Sequence, residues 1–278
     1  ILFLDANVDG IFTDFPDLAV DFLRNHVAQP EDRATYDYAT AWLDQHLRMN
    51  QIQTIGSHNS FKEAIAPSLM QILRQLDPNT ADSLDYEHIS LTKQLDLGLR
   101  QLELDLFYDP EGGRYATPYG IMAAKEMNLP LDPPYDPKGK MKNPGFKVLH
   151  VQDIDFRSNC MTFKEALEEV RQWSKTHPRH TPILITINTK EDVIDQPNFV
   201  QPLPFDRHAF DHLDQEILSV FGISELIVPD YVRGNYQTLE TAINADQWPT
   251  LKVSRGKIFF VLDADQEKID IYKDGHPS

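Results

Sequence analysis

The chain predicts an α/β fold, a TIM-like (β/α) barrel that stops after about the fifth strand and carries an N-terminal helical extension. Two observations predict it. Apolar, β-branched runs alternate with amphipathic helical stretches from about residue 50 onward, which is the signature of parallel strands joined by helical crossovers. Polar residues recur just where those runs end: His58, Asp105, His150 and Asn188. Catalytic groups of such barrels sit at the C-terminal mouth of the strands. The domain division that follows is 1–50 for the helical extension and 51–278 for the barrel.

Within the extension, residues 14–26 and 34–49 read as amphipathic helices anchored by Phe15, Leu18, Leu23, Tyr38, Trp42 and Leu47. Ile52 to Ser57 is a short strand ending in Gly56-Ser57-His58. Residues 84–97 read as a helix stopped by Gly98, a C-cap glycine. Leu99 to Phe107 alternates polar and apolar, so Glu103 and Asp105 share one face and Leu102, Leu104 and Leu106 the other. The stretch 109–146 is rich in Pro and Gly and reads as a long irregular insertion, a kind of loop that is usually functional or disordered. Phe146 to Val151 is the next strand, with His150 near its end. A helix spans 162–176, with Thr162 and Glu165 at capping-box spacing. Pro182 to Asn188 is a β-branched strand, helices follow at 208–221 and 237–245, and Gly256 to Asp263 is the last strand.

Composition narrows the function. The 278 residues carry 26 basic and 43 acidic side chains, a net charge of −17. That balance argues against nucleic acid, which is bound through basic surfaces, and against a polybasic grip on anionic membranes. No run of eighteen apolar residues marks a transmembrane segment. The single Cys160 excludes an intrachain disulfide and reads as packing. The chain begins Ile1-Leu2-Phe3 rather than with methionine, as a processed product does, and the expected location is secreted or periplasmic.

The chemistry gathers in two runs. In a strand, Glu103 and Asp105 point the same way roughly 6–7 Å apart, close enough for both carboxylates to grip one hard cation. His58 and Asn59, in Gly56-Ser57-His58-Asn59-Ser60, lie about forty residues earlier, where a histidine and an amide could complete such a site. A carboxylate pair in a parallel strand buried on both faces is costly unless it binds something. Lys190, two residues beyond Asn188, is placed either to touch a substrate phosphate or to face solvent. His177, His180, His208 and His212 read as surface residues, since no carboxylate cluster converges with them.

Three segments resemble the calcium-dependent phosphoinositide-specific phospholipase C family: Ile55-Gly56-Ser57-His58-Asn59-Ser60-Phe61; Gln94-Leu95-Asp96-Leu97-Gly98-Leu99-Arg100-Gln101-Leu102-Glu103-Leu104-Asp105; and His150-Val151-Gln152-Asp153 with Cys160-Met161-Thr162-Phe163 and Trp173-Ser174. Arg255-Gly256-Lys257-Ile258-Phe259-Phe260 is similar to the family's fifth barrel strand. The resemblance covers roughly residues 50–265. It implies a phosphodiesterase that cleaves phosphoinositide lipids at a membrane surface to diacylglycerol and a cyclic inositol phosphate. It implies His58 and His150 as the catalytic pair, and Asn59, Glu103 and Asp105 as Ca2+ ligands. At the position of a fourth ligand, a Glu in eukaryotic relatives, this chain has Asn188, which lowers the charge of the site. The 109–146 insertion is longer than in those relatives, and the family continues beyond the fifth strand. Two other readings share the same features: a barrel phosphodiesterase acting on glycerophosphodiesters or sphingolipid headgroups, and a catalytically silent lipid- or calcium-binding module.

Overall fold

The β-branched and alternating runs pair into one sheet, and the helices between them return the chain to the same edge. The computed structural model describes residues 10–13, 33–130 and 132–274. Among these, strands β1 (Gly10–Thr13), β2 (Thr54–Ser57), β3 (Gln101–Phe107), β5 (Ile183–Thr189) and β6 (Ile258–Asp263) run parallel in the order β1-β2-β3-β5-β6. Strand β4 (Lys147–Val148) pairs antiparallel with the end of β3. Helices α1 (Arg33–His46), α2 (Pro67–Leu76), α3 (Pro78–Leu84), α4 (Leu91–Leu97), α5 (Tyr119–Glu126), α6 (Phe163–Thr176) and α7 (Arg207–Val220) fill the connections. The short α8 (Pro229–Arg233), α9 (Leu239–Asn244), α10 (Leu251–Ser254) and α11 (Gln266–Lys273) complete the described chain.

One face of the sheet is covered by helices. Leu102, Leu104 and Leu106 of β3 and Ile183, Ile185 and Ile187 of β5 pack with Phe163, Leu167, Val170 and Trp173 of α6 and Phe210 and Leu213 of α7. The opposite face carries Glu103, Asp105, Thr186 and Asn188, in register across β3 and β5. The alternation read from the sequence therefore separates a packed apolar face from a polar one.

Two glycines shape the approach to that polar face. Gly98 ends α4 in the left-handed region at φ +105°, as its C-cap reading required. Gly56 lets β2 lie against β3: a Cβ there would sit 2.5 Å from the Gln101 Cβ.

Several elements differ from the sequence reading. Lys147 and Val148 do not join the parallel sheet, so the parallel strand expected at 146–151 is a two-residue antiparallel bridge. Lys147 is fully buried and its ammonium lies 3.3 Å from Asp109, beyond the end of β3 against which it pairs. The helix expected at 84–97 is two helices, α3 and α4, separated by residues 85–90. The irregular insertion contains α5 and a 3-10 turn at Lys140–Lys142. Thr162 does cap α6, accepting from the Glu165 N–H at 3.3 Å, while the Glu165 carboxylate pairs with Lys140 of the insertion. In the N-terminal region β1 adds a strand absent from the sequence reading, and α1 matches the second expected helix. The helix expected at 14–26 lies outside the described residues. Trp42 of α1 is half exposed and stacks on His46; Asp44 of the same helix is buried, and its carboxylate accepts from Arg255 Nε at 2.7 Å.

Candidate active site

The strand ends bring the polar residues to one rim. After β2 the chain turns through Asn59 at φ +49°, a left-handed conformation that asparagine tolerates better than most residues. A buried network fixes this turn. Ser60 N–H donates to the Glu103 carbonyl at 3.1 Å, and Glu103 N–H donates to Ser60 Oγ at 2.8 Å. Gln94 Nε2 donates to the carbonyls of Ser60 and Ile89, each at 2.7 Å.

The turn delivers three groups. Asn59 N–H donates to Glu103 Oε2 at 3.1 Å. Asn59 Nδ2 donates to the Tyr86 hydroxyl at 2.8 Å, which leaves the amide oxygen as the free end of that side chain. His58 Nε2 lies 3.8 Å from Glu103 Oε2, and the imidazole is half exposed at the mouth.

Asp105 is the electrostatic centre of the rim. It is 1% exposed, and neither carboxylate oxygen has a hydrogen-bond partner. Lys190 Nζ stands 3.6 Å from Oδ2. Burial pushes the carboxyl up to about 6; Lys190 and His150 oppose that rise, and Glu103 adds to it. Asn188, directly opposite in register, favours the ionised form without completing a hydrogen bond. A buried carboxylate that accepts no hydrogen bond is expensive even with an ammonium nearby. Asp105 with Asn188 opposite it in register, and Glu103 with Asn59 bound to it, make an oxygen donor set that suits a hard divalent cation. Among the described residues no three His, Cys, Asp or Glu side chains converge as metal ligands. The rim instead offers two carboxylates and two amides.

His150 enters from the loop after β4. A tight turn, with Val151 N–H donating to the Asp155 carbonyl and Asp155 N–H donating back, both at 2.9 Å, aims Asp155 at the ring. Asp155 Oδ2 lies 2.8 Å from His150 Nδ1. An ionised carboxylate only accepts, so Nδ1 carries the proton and Nε2 faces the site with its lone pair or a second proton. Asp155 is fully buried, and Lys62 Nζ lies 3.4 Å from the same oxygen. Asp153 in this loop sits at φ +67° and accepts from the N–H groups of Tyr119 and Val200, both at 2.6 Å. The insertion is thereby latched to the His150 loop.

The structure thus places His58, Asn59, Glu103, Asp105, His150, Asn188 and Lys190 around one rim. The sequence reading missed Lys62, Tyr86 and Asp155, the groups behind them. Asp155 follows His150 by five residues and had a signal in that spacing. Lys62 had none, since nothing in Phe61-Lys62-Glu63 marks a buried ammonium. His180 is not a surface residue: it is 6% exposed, with Nε2 2.7 Å from Ser174 Oγ. His208 and His212 both reach the Tyr108 hydroxyl, at 3.1 and 2.8 Å. Cys160 is buried, and burial pushes its thiol well above the ordinary range, which fits packing.

Comparison with known proteins supplies the family. Residues 47–278 match the family described as phosphoinositide phospholipase C, Ca2+-dependent, and the chain belongs to it. No curated protein matches the sequence. Among solved structures the chain is similar to a calcium-dependent phosphoinositol-specific phospholipase C from the Gram-negative bacterium Pseudomonas sp., in its apo form. That likeness has 17% identity and a TM-score of 0.51, covering 84% of this chain and 64% of that one. A myo-inositol complex from the same source is 16% identical, with a TM-score of 0.50, covering 85% and 64%. These likenesses show the shared fold, and this chain spans 64% of the Pseudomonas protein's length. A Ca2+-dependent phosphatidylinositol-specific phospholipase C from Streptomyces antibioticus is 19% identical, with a TM-score of 0.45, covering 80% and 58%. No helix of the described residues is long and apolar enough to cross a membrane.

Proposed function

We propose that this chain is a Ca2+-dependent phosphodiesterase that cleaves phosphatidylinositol-type lipids at a membrane surface, releasing diacylglycerol and a cyclic inositol phosphate. The observation that carries the reading is Asp105, buried with neither oxygen hydrogen-bonded, on the rim that also holds Glu103, Asn59 and Asn188. Those four side chains would hold the ion. A bound calcium ion supplies positive charge that offsets the phosphate and acidifies the inositol 2-hydroxyl.

The chain's own groups move the protons. His58, held near Glu103 and half exposed, faces the 2-hydroxyl and takes its proton, with Glu103 as the nearest second acceptor. His150, oriented through Nδ1 by Asp155, carries a second proton on Nε2 as imidazolium and gives it to the departing diacylglycerol oxygen, leaving the neutral ring with its proton on Nδ1. Lys190, beside Asp105, adds positive charge for the phosphate. The family's description and the likeness to calcium-dependent enzymes support the same reading. We further propose that the first fifty residues form an extension that adds β1 to the edge of the sheet built by residues 51–278, and that the protein works outside the cytoplasm, as a secreted or periplasmic enzyme.

The test is product analysis on phosphatidylinositol vesicles with calcium and with excess EGTA. Diacylglycerol and cyclic inositol phosphate should appear only with calcium. Equal turnover in EGTA contradicts the metal role, and release of free glycerophosphoinositol contradicts the bond cleaved.

A further inference from the structure

Lys62 is the least expected charge in the molecule. Its side chain has no exposure, and it follows Phe61 directly after the catalytic turn. Its ammonium donates to the carbonyls of Leu84, at 2.9 Å, and Tyr86, at 2.6 Å, and lies 4.5 Å over the Tyr86 ring. It also faces Asp155 Oδ2 at 3.4 Å, the oxygen that His150 Nδ1 approaches at 2.8 Å. Tyr86 in turn accepts from Asn59 Nδ2. One ammonium therefore touches both arms of the site: the histidine arm through Asp155 and the amide arm through Tyr86.

The arrangement answers a charge problem. Asp155 is fully buried and its Oδ1 has no hydrogen-bond partner. A buried carboxylate stays ionised only beside a counter-ion. His150 cannot be that counter-ion throughout turnover, because its reading as the general acid requires it to give up a proton and regain it. Without a permanent cation, Asp155 would either take up a proton and stop holding Nδ1–H, or hold the imidazolium so tightly that His150 could not release its Nε2 proton. Asp85 and Glu87 also face Lys62, and Asp105 faces His150, so the local field is otherwise negative. We infer that Lys62 is a positioning residue that keeps Asp155 anionic independently of the state of His150, and so fixes the His150 ring with its proton on Nδ1 while it works. This rests on the reading of His150 as the leaving-group acid.

Lys62→Gln tests it, since the amide can still donate to the Leu84 and Tyr86 carbonyls while the charge is gone. Two readouts are taken on the full chain. The first is kcat and KM on phosphatidylinositol in mixed micelles with calcium. The second is the His150 ring tautomer from long-range 1H–15N spectra, assigned through His150→Asn. Once titrated to its neutral form, wild-type His150 should be protonated at Nδ1, the state it holds after giving up its Nε2 proton. Lys62→Gln should lose about 100-fold in kcat with KM within about threefold, and its neutral His150 ring should move toward the Nε2-protonated tautomer. Unchanged tautomer, or kcat within about threefold of wild type, overturns the inference. If Lys62→Gln does not fold, Lys62→Gln/Asp155→Asn removes both charges: recovery of the fold supports a role through Asp155, and failure to recover marks Lys62 as a structural post and overturns it. A wild-type protein inactive on phosphatidylinositol would sink the proposed function, yet the ring tautomer would still decide the role of Lys62.

Discussion

Asp105 is held where a carboxylate should not be, and that tension is measurable. Its carboxyl ionises near 6 in the folded chain against 3.8 for a free side chain. Between those values the folded protein keeps a proton that the unfolded chain has released. Calcium-free stability therefore falls as pH rises from 4 through 6, with a loss on the order of 3 kcal/mol complete by pH 7. Asp105→Asn should remove this dependence. The difference in urea midpoint between the two proteins should thus grow with pH in EGTA, with the variant the more stable at pH 7; a constant difference would mean that Asp105 is already satisfied. The histidines separate by a different measurement. His58→Ala and His150→Ala should each lose about two orders of magnitude in turnover. On a substrate with an easily expelled leaving group only His150→Ala should recover, because such a group leaves without a proton. Equal recovery would reverse or merge the assigned roles.

At the scale of elements, two glycines do different work and their alanine variants should part company. At Gly98 a Cβ meets nothing within 4 Å, so Gly98→Ala is charged only for its φ of +105°. It should lose about 1 kcal/mol of stability with turnover unchanged. At Gly56 the added Cβ would meet Gln101, pushing β2 off β3 and displacing His58 and Asn59 just beyond. Gly56→Ala should cost about 1–3 kcal/mol and lower kcat as well; full turnover there would show that the strand spacing does not set the site. The same elements show what a sequence reveals. The alternation in Gln101-Leu102-Glu103-Leu104-Asp105-Leu106 exposes both the strand and its polar face, because side-chain direction follows the backbone period. Gly98 reads correctly because its conformation excludes most other residues. Lys147, Lys62 and His180 mislead for a shared reason: each is polar yet buried, the lysines satisfied by a carboxylate or backbone carbonyls far along the chain and His180 by the Ser174 hydroxyl of the preceding helix. A polar letter reads as an exposed position until the fold supplies its partner. Strand β4 and the loop carrying His150 were obscured in this way, and Asp155 with them.

For the molecule as a whole, the net charge of −17 sets its terms with a membrane. Long-range repulsion from an anionic bilayer is screened over about 10 Å at 0.1 M salt but reaches about 30 Å at 0.01 M. Binding to anionic vesicles in EGTA should therefore strengthen as salt is raised across that range, measured by co-sedimentation. Weakening with salt would reveal a basic docking face. The parallel sheet, the turn through Asn59 and the register of β3 on β5 converge on a rim that needs a cation, and that need is the central claim. Calorimetric titration of calcium into wild type and Asp105→Asn at pH 7.5 tests it most directly. One ion should bind wild type, with binding abolished or weakened by about two orders of magnitude when one carboxylate ligand is removed. Wild type that takes up no calcium, or a variant that binds it as wild type does, would contradict the account.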